Sequence, residues 1–129
     1  MRVQLWPDLS VDDNDADCAN ILARPDRFSV FVATDSGLVH GFVDVSLRDI
    51  ADGCDSSPVG YLEGWFVKPA HRGKGIGRRL VAAAEAWARS QGCTEMASDA
   101  LLNNVDGQRA HARLGYAEVD RMVSFRKRL

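Results

Sequence analysis

Val67-Lys68-Pro69-Ala70-His71-Arg72-Gly73-Lys74-Gly75-Ile76-Gly77-Arg78-Arg79-Leu80 is the stretch on which the fold turns. Ahead of it, Gly60 to Val67 (GYLEGWFV) is rich in aromatic and aliphatic residues and reads as a strand stopped by Pro69. Behind it, Gly75 to Gln91 reads as a helix. Ile76, Leu80, Val81, Ala84, Trp87 and Ala88 fall on one stripe, and Gly92 ends it. A strand, a glycine-rich turn and a helix in that order leave successive N–H groups open at a helix N-terminus, where the helix dipole favours an anion. Glycines let the backbone come close to such a guest. Arg72, Lys74, Arg78 and Arg79 add positive charge around it. Pyrophosphate is the expected ligand.

Two other glycine motifs fail on spacing. A Walker loop needs Ser or Thr after its lysine, and here Gly75 follows Lys74. The dinucleotide fingerprint needs a last glycine where Arg78 stands. What remains is Arg-x-x-Gly-x-Gly at Arg72, Gly75 and Gly77, against the plain alternative of a flexible basic turn.

Working outward, Ser10 with Asp13 three residues on marks a helix start, and Arg24-Pro25 ends that helix near Ala23. Ser29 to Thr34 and Leu38 to Leu47 flank Asp35-Ser36-Gly37, which reads as a hairpin. Asp49 to Pro58 is a polar loop of ten residues, long enough to suggest a function. After the central helix come a short strand at Thr94 to Ser98 and a helix at Val105 to Leu114, ended by Gly115. Two closing strands are expected near Tyr116–Val119 and Met122–Lys127. This order predicts an α/β fold with a mixed central sheet and helices on both faces. The 129 residues suit one domain, residues 1–129.

No apolar run approaches the roughly 18 residues of a membrane span, and the N-terminus lacks the apolar block of a secretory signal. Cys18, Cys54 and Cys93 are odd in number and lack metal-ligand spacing. The expectation is a cytoplasmic protein with neither disulfide nor metal. Residues 1–70 hold 5 Lys/Arg and 12 Asp/Glu, whereas 71–129 hold 11 and 6. An acidic half and a basic half suit a protein that holds a cation beside a polyanion. The basic half is too small, and the acidic half too opposed, for a nucleic-acid partner.

With these motifs the sequence resembles the GNAT acetyltransferase superfamily, whose cofactor signature is [Gln/Arg]-x-x-Gly-x-[Gly/Ala] after a V-x-P strand end. Leu114-Gly115-Tyr116 is similar to the Leu-Gly-Phe/Tyr after the family's last helix. The resemblance implies acetyl-CoA as co-substrate. Arg72, Gly73, Lys74, Gly75, Ile76, Gly77 and Arg78 would hold its pyrophosphate, and the backbone of Phe66 and Val67 its pantetheine arm. Asn103 or Asn104 would lie near that arm. Leu5-Trp6-Pro7, Gly53 to Pro58, Leu62-Glu63-Gly64, Glu95 to Asp99 and Phe125 to Arg128 look like the aminoglycoside 6'-N-acetyltransferases of this superfamily, enzymes of antibiotic resistance that typically form dimers. Only four residues precede Leu5 where the resemblance implies a strand and a helix, so the fold's N-terminal strand is expected to be missing.

A polycationic sugar needs an acidic pocket with aromatic surface. Glu63 is the leading candidate, as an ammonium anchor or as a base through water, against a structural ion pair. Without a bulge, alternation puts Tyr61, Glu63 and Trp65 on one face and Leu62, Gly64 and Phe66 on the other. Asp99 stands at a strand's C-terminal end, where ligands gather. Asp55 in the long loop is a further candidate, and Trp6 either lines the pocket or belongs to the core. Asp12, Asp13, Asp15 and Asp17 read as a solvated helix face. The amine would attack the thioester directly, with a backbone N–H near Phe66 or Val67 polarising the carbonyl. Relatives place a tyrosine, as proton donor to the leaving thiolate, where this sequence has His111. His111 is that acid, or touches the cofactor, or packs. Two alternatives stay open: the same fold acting on another small amine, such as a polyamine or amino acid, and a non-catalytic acyl-CoA-binding module.

Overall fold

The computed structural model describes all 129 residues, in two compact units, Met1–Asp99 and Ala100–Leu129. The first unit is built on a four-stranded sheet of β1 (Phe28–Asp35), β2 (Leu38–Arg48), β3 (Val59–Val67) and β4 (Met96–Ser98), in that spatial order. The first three strands are antiparallel neighbours, and β4 joins β3 in parallel. The β1–β2 hairpin closes over Ser36 and Gly37, both at positive φ, the geometry that matches the twist of paired strands.

The long helix α3 (Ile76–Ser90) covers one face. Leu80, Val81, Ala84 and Ala88 of its stripe are buried on the face that Val43 and Val45 of β2 and Leu62 of β3 line. Ile76 and Trp87, at the stripe's margins, are half-buried. The other face carries α1 (Arg2–Leu5) and α2 (Val11–Ala23). Ser10 caps α2 as its sequence predicts, with Oγ accepting from the Asp13 N–H at 3.1 Å. No strand precedes α2, and β1 is an edge of the sheet. The expected mixed sheet, with helices on both faces, is the observed architecture.

Alternation along β2 sends Phe42, Asp44, Ser46 and Arg48 to the α1 side. Phe42 lies 6.4 Å from the Trp6 ring, and Asp44 is ion-paired with Arg2. β3 does not alternate so simply. Asp44 faces Gly64 and Val45 faces Leu62, so Glu63 is one residue too many, a β-bulge. The bulge separates residues that plain alternation would group. Tyr61 and Glu63 share a face with Ser46 and Arg48, but Trp65 turns to the opposite side and lies over Gly77 of α3. Gly64 takes the α1 side, where Trp6 and Leu5 cover it so closely that a Cβ would collide with the indole.

The second unit contains α4 (Val105–Arg113), capped by Asn104, whose Oδ1 accepts from the Gly107 N–H at 3.0 Å. The two closing strands expected after it are not formed. Residues 116–129 carry strand-like side chains, but a strand needs a neighbour to take its backbone hydrogen bonds, and none pairs with this segment. Val119, Met122, Val123 and Phe125 are consequently exposed.

Candidate active site

β3 organises the first unit's site. β4 accompanies it only from Gly60 to Leu62, opposite Met96 to Ser98, whereas β2 follows it to Val67. From the bulge onward, β3 therefore has a paired strand on one edge and no strand on the other.

At the end of β3 the chain makes a 3₁₀ turn, Pro69–His71, and enters α3 through Gly73 and Gly75. Gly75 is the N-cap residue at φ +77°, a left-handed conformation that side chains resist, and it supplies no side-chain cap. Open space surrounds the Cα of both Gly73 and Gly75. The first i→i−4 bond runs from the Arg79 N–H to the Gly75 carbonyl, so the N–H groups of Ile76, Gly77 and Arg78 stay outside the helical ladder. Gly77 has a second reason to be glycine: a Cβ there would lie 2.8 Å from the Trp65 indole. Arg72 folds back over β3, with Nε donating to the Val67 carbonyl at 2.8 Å and the guanidinium 5.6 Å from the Phe66 ring. Arg72, Gly73, Lys74, Gly75, Ile76, Gly77, Arg78, Phe66 and Val67 are thus brought together as a basic, open-amide cradle. An anion flanked by an extended arm fits it.

A histidine pair that the sequence reading missed buttresses this loop. The rings of His40 and His71 stack at 3.8 Å, and the Lys68 N–H donates to the His40 carbonyl. Desolvation, then the nearby His40, Lys74 and Lys68, holds the His71 imidazole below its ordinary pKa. Only the fold reveals the pair, because the two residues lie on different segments.

The acidic face is built around the bulge. Glu63 accepts from Ser46 Oγ at 2.5 Å and is gripped in two places by Arg48, Nε to Oε1 at 3.0 Å and Nη2 to Oε2 at 2.7 Å. The Arg48 guanidinium also lies 3.4 Å above the Tyr61 ring. Tyr61 donates its hydroxyl to Asp99 at 3.1 Å. Burial first, then the neighbouring Asp99 carboxylate, pushes the Tyr61 phenol up to about 12, so it stays a donor at neutral pH. Trp6 stands beside this group, over Gly64, with the Arg2 guanidinium 4.6 Å from its ring. Glu63, Asp99 and Trp6 therefore share one face, joined by Arg48, Tyr61 and Ser46, which the sequence reading did not single out as site residues.

Asp55 stands apart. Its N–H, the Ser56 N–H and Ser56 Oγ all bind Glu95 Oε1, at 3.0, 2.7 and 2.5 Å. These contacts, the Ser56 hydroxyl foremost, hold the Glu95 carboxyl below its usual range. Glu95 immediately precedes β4 and Asp99 follows it, so the Asp55 loop is anchored at the far end of that strand from Asp99. In the second unit His111 Nδ1 lies 2.7 Å from the Gly107 carbonyl, and its ring meets Tyr116 edge-on at 5.8 Å. No helix is long and apolar enough to cross a membrane.

Comparison with known proteins points the same way as the cradle. The model of the acetyltransferase (GNAT) family matches residues 2–116. The aminoglycoside N(6')-acetyltransferase type 1 of Salmonella typhimurium is 43% identical over 129 residues, covering 99% of this chain and 88% of the relative. The Serratia marcescens enzyme of the same name is 42% identical, over 100% of this chain and 89% of its own. Among solved structures, AAC(6')-Iy in complex with the bisubstrate analog CoA-S-monomethyl-acetylneamine superposes with a TM-score of 0.93 at 42% identity, covering 100% of this chain and 88% of that one. AAC(6')-Ih from Acinetobacter baumannii does so with a TM-score of 0.90 at 35% identity, covering 99% and 87%. A strand unpaired on one edge beside an open-amide helix start is accounted for by this kinship, and the chain belongs to the acetyltransferase (GNAT) family.

Proposed function

We propose that the chain transfers the acetyl group of acetyl-CoA to the 6'-amine of aminoglycoside antibiotics and so confers resistance. One observation carries the reading: β3 offers an open edge beside the Gly73–Arg78 cradle, while its bulge presents Glu63 in a face with Tyr61, Asp99 and Trp6. Polyanion and polycation would meet across a single strand. Relatives named for this activity are 42–44% identical over nearly the whole chain, which supports the acceptor class.

In this reading Arg72 and residues 73–78 hold the pyrophosphate, and the main chain of Phe66 and Val67 aligns the pantetheine. Asn104 contributes its side-chain amide. The thioester supplies an activated acyl group, so the protein's task is orientation and a polarising N–H near Phe66 or Val67. Glu63 and Asp99 receive ammonium groups, Trp6 a sugar face, and Asp55 an outlying amine. Ser46 and Arg48 already occupy most lone pairs of Glu63, so the carboxylate sits in an ion pair that a substrate ammonium or a water has to displace. With His111 Nδ1 against the Gly107 carbonyl, Nδ1 carries a proton, and the ring delivers one from Nε2 to the thiolate only as imidazolium.

The 129 residues act as one acetyltransferase domain, for which the family match across both compact units is the support. The protein works in the cytoplasm as a homodimer. The exposed Val119, Met122, Val123 and Phe125 of the unpaired C-terminal segment favour a second copy as their cover. Light scattering tests that part.

Thiol release from acetyl-CoA, measured with kanamycin and tobramycin, tests the function. Turnover with both is expected. Calorimetric binding of acetyl-CoA without turnover on any amine would leave a binding module, and turnover confined to polyamines or amino acids would overturn the acceptor. Glu63→Ala should raise the aminoglycoside KM about 10-fold or more, with the acetyl-CoA KM unchanged.

A further inference from the structure

We propose that Arg48 is the specificity-setting residue of the acceptor face, an internal cation that holds Glu63 until a substrate ammonium replaces it. The inference rests on the aminoglycoside reading above and names which protein group the substrate must displace.

Arg48 has the geometry of an occupant. Its guanidinium takes both carboxylate oxygens of Glu63, at 3.0 and 2.7 Å, which are the contacts a bound ammonium would seek. Its stacking on Tyr61 at 3.4 Å lays a positive charge over the ring whose hydroxyl binds Asp99. The cation therefore pairs with Glu63 and covers the ring that hydrogen-bonds Asp99. With Arg48 seated, Glu63, Asp99 and Arg48 sum to one negative charge. With it withdrawn, two carboxylates face the solvent together.

Glu63 has a second support besides Arg48. The bulge sets its backbone, and Ser46 Oγ holds Oε1 at 2.5 Å from the neighbouring strand. Arg48 is not locked in place. It is the last residue of β2, directly before the loop of residues 49–58, and its side chain is 43% exposed. Water reaches this pair and screens it, so even with its two-point geometry it stays within reach of exchange for a cationic acceptor. An ammonium arriving on a multiply charged sugar brings its own counter-charge for Glu63, and the guanidinium swings to solvent. A neutral or singly charged amine has less to offer in exchange. Arg48 would thereby bias the site toward polycations.

The test compares Arg48→Met and Arg48→Gln with wild type in steady-state kinetics on tobramycin, with acetyl-CoA saturating. The tobramycin KM should fall a few-fold in both variants, up to about 5-fold, the most that removing an accessible pair worth up to about 1 kcal/mol can return. It should also climb more steeply with added salt, as two unmasked carboxylates require. Arg48→Lys should lie between, keeping the charge but losing the two-point grip. The acetyl-CoA KM should stay constant, which confirms that the cradle is intact. A KM that rises, or a kcat that collapses and is rescued by lysine, would make Arg48 a support of Glu63 and overturn the proposal. An unchanged KM would overturn it as well.

A variant-free measurement guards against misfolded substitutions. In wild-type protein the Arg48 Nε–H, protected by Glu63, should exchange faster with water, and its signal broaden, when tobramycin is added together with coenzyme A. Continued protection in the ternary complex would refute displacement. If wild-type protein acetylates no aminoglycoside, the functional reading fails first. If it does acetylate them and Arg48 behaves otherwise, the inference alone fails.

Discussion

Gly77→Ala probes the contact that fixes α3 against β3. The added Cβ would stand 2.8 Å from Trp65 Cζ2 and 3.2 Å from Cε2 and Nε1, where a relaxed carbon pair keeps about 3.5–4.0 Å. The indole is a rigid bicycle, so it cannot fold away as a flexible side chain would. Either Trp65 leaves its place on β3 or the first turn of α3 lifts. Overpacking of this kind costs about 1–3 kcal/mol. Replacing glycine by alanine in a helix returns up to about 1 kcal/mol. The expected net loss is about 1–2 kcal/mol, a fall in Tm of about 3–8 °C for a chain of this size. Urea unfolding of wild type, Gly77→Ala, Trp65→Leu and the double variant isolates the term. On the Trp65→Leu background the alanine should be neutral or stabilising, a coupling of about 1–2 kcal/mol. Because the same turn carries the open amides, acetyl-CoA affinity should fall together with stability. If Gly77→Ala were as stable as wild type on both backgrounds, the Trp65 contact would not be what demands glycine.

Gly75→Val acts through conformation rather than volume, since nothing lies near its Cβ but its φ is +77°. A left-handed valine costs at least about 1–2 kcal/mol, and calorimetry should show acetyl-CoA binding lost while most of the fold survives. In Tyr116→Phe, Tyr61 is the remaining tyrosine, and its absorbance titration should centre near 12. Asp99→Asn on that background should lower the midpoint, and a Tyr61 midpoint at the ordinary value near 10 would contradict the part-buried Tyr61–Asp99 bond. Since folding raises this pKa, the associated stability is complete below pH 10 and is lost as pH rises toward 12. Glu95→Gln should speed amide exchange at Asp55 and Ser56. Because the folded state holds the Glu95 carboxyl below its usual range, its contribution is present above the unfolded pKa. That contribution fades as pH falls through the folded one.

The strand, glycine turn and helix at residues 60–91 were readable because proline, glycine and a 3.6-residue apolar period act locally. The cradle followed from the same stretch. Glu63 and Asp99 were readable as polar residues in costly places, but their partners were not. The Glu63 bulge exists only in register with β2, so alternation alone put Trp65 on the wrong face. Arg48 and Tyr61 reach Glu63 and Asp99 across neighbouring strands, and Glu95 holds a loop some 40 residues away in sequence. Residues 116–129 show the opposite error. Strand propensity was present there, yet a strand is a relation between two segments, and this chain supplies no partner for them.

The most direct measurement uses a matched pair of aminoglycosides, identical except for an amine or a hydroxyl at the 6' position, each incubated with acetyl-CoA and the full chain. The account predicts one equivalent of coenzyme A released with the amine, a single acetyl group located on the 6' nitrogen by NMR, and no release with the hydroxyl. Equal treatment of the two compounds, acetylation at another nitrogen, or no turnover with the amine would contradict it.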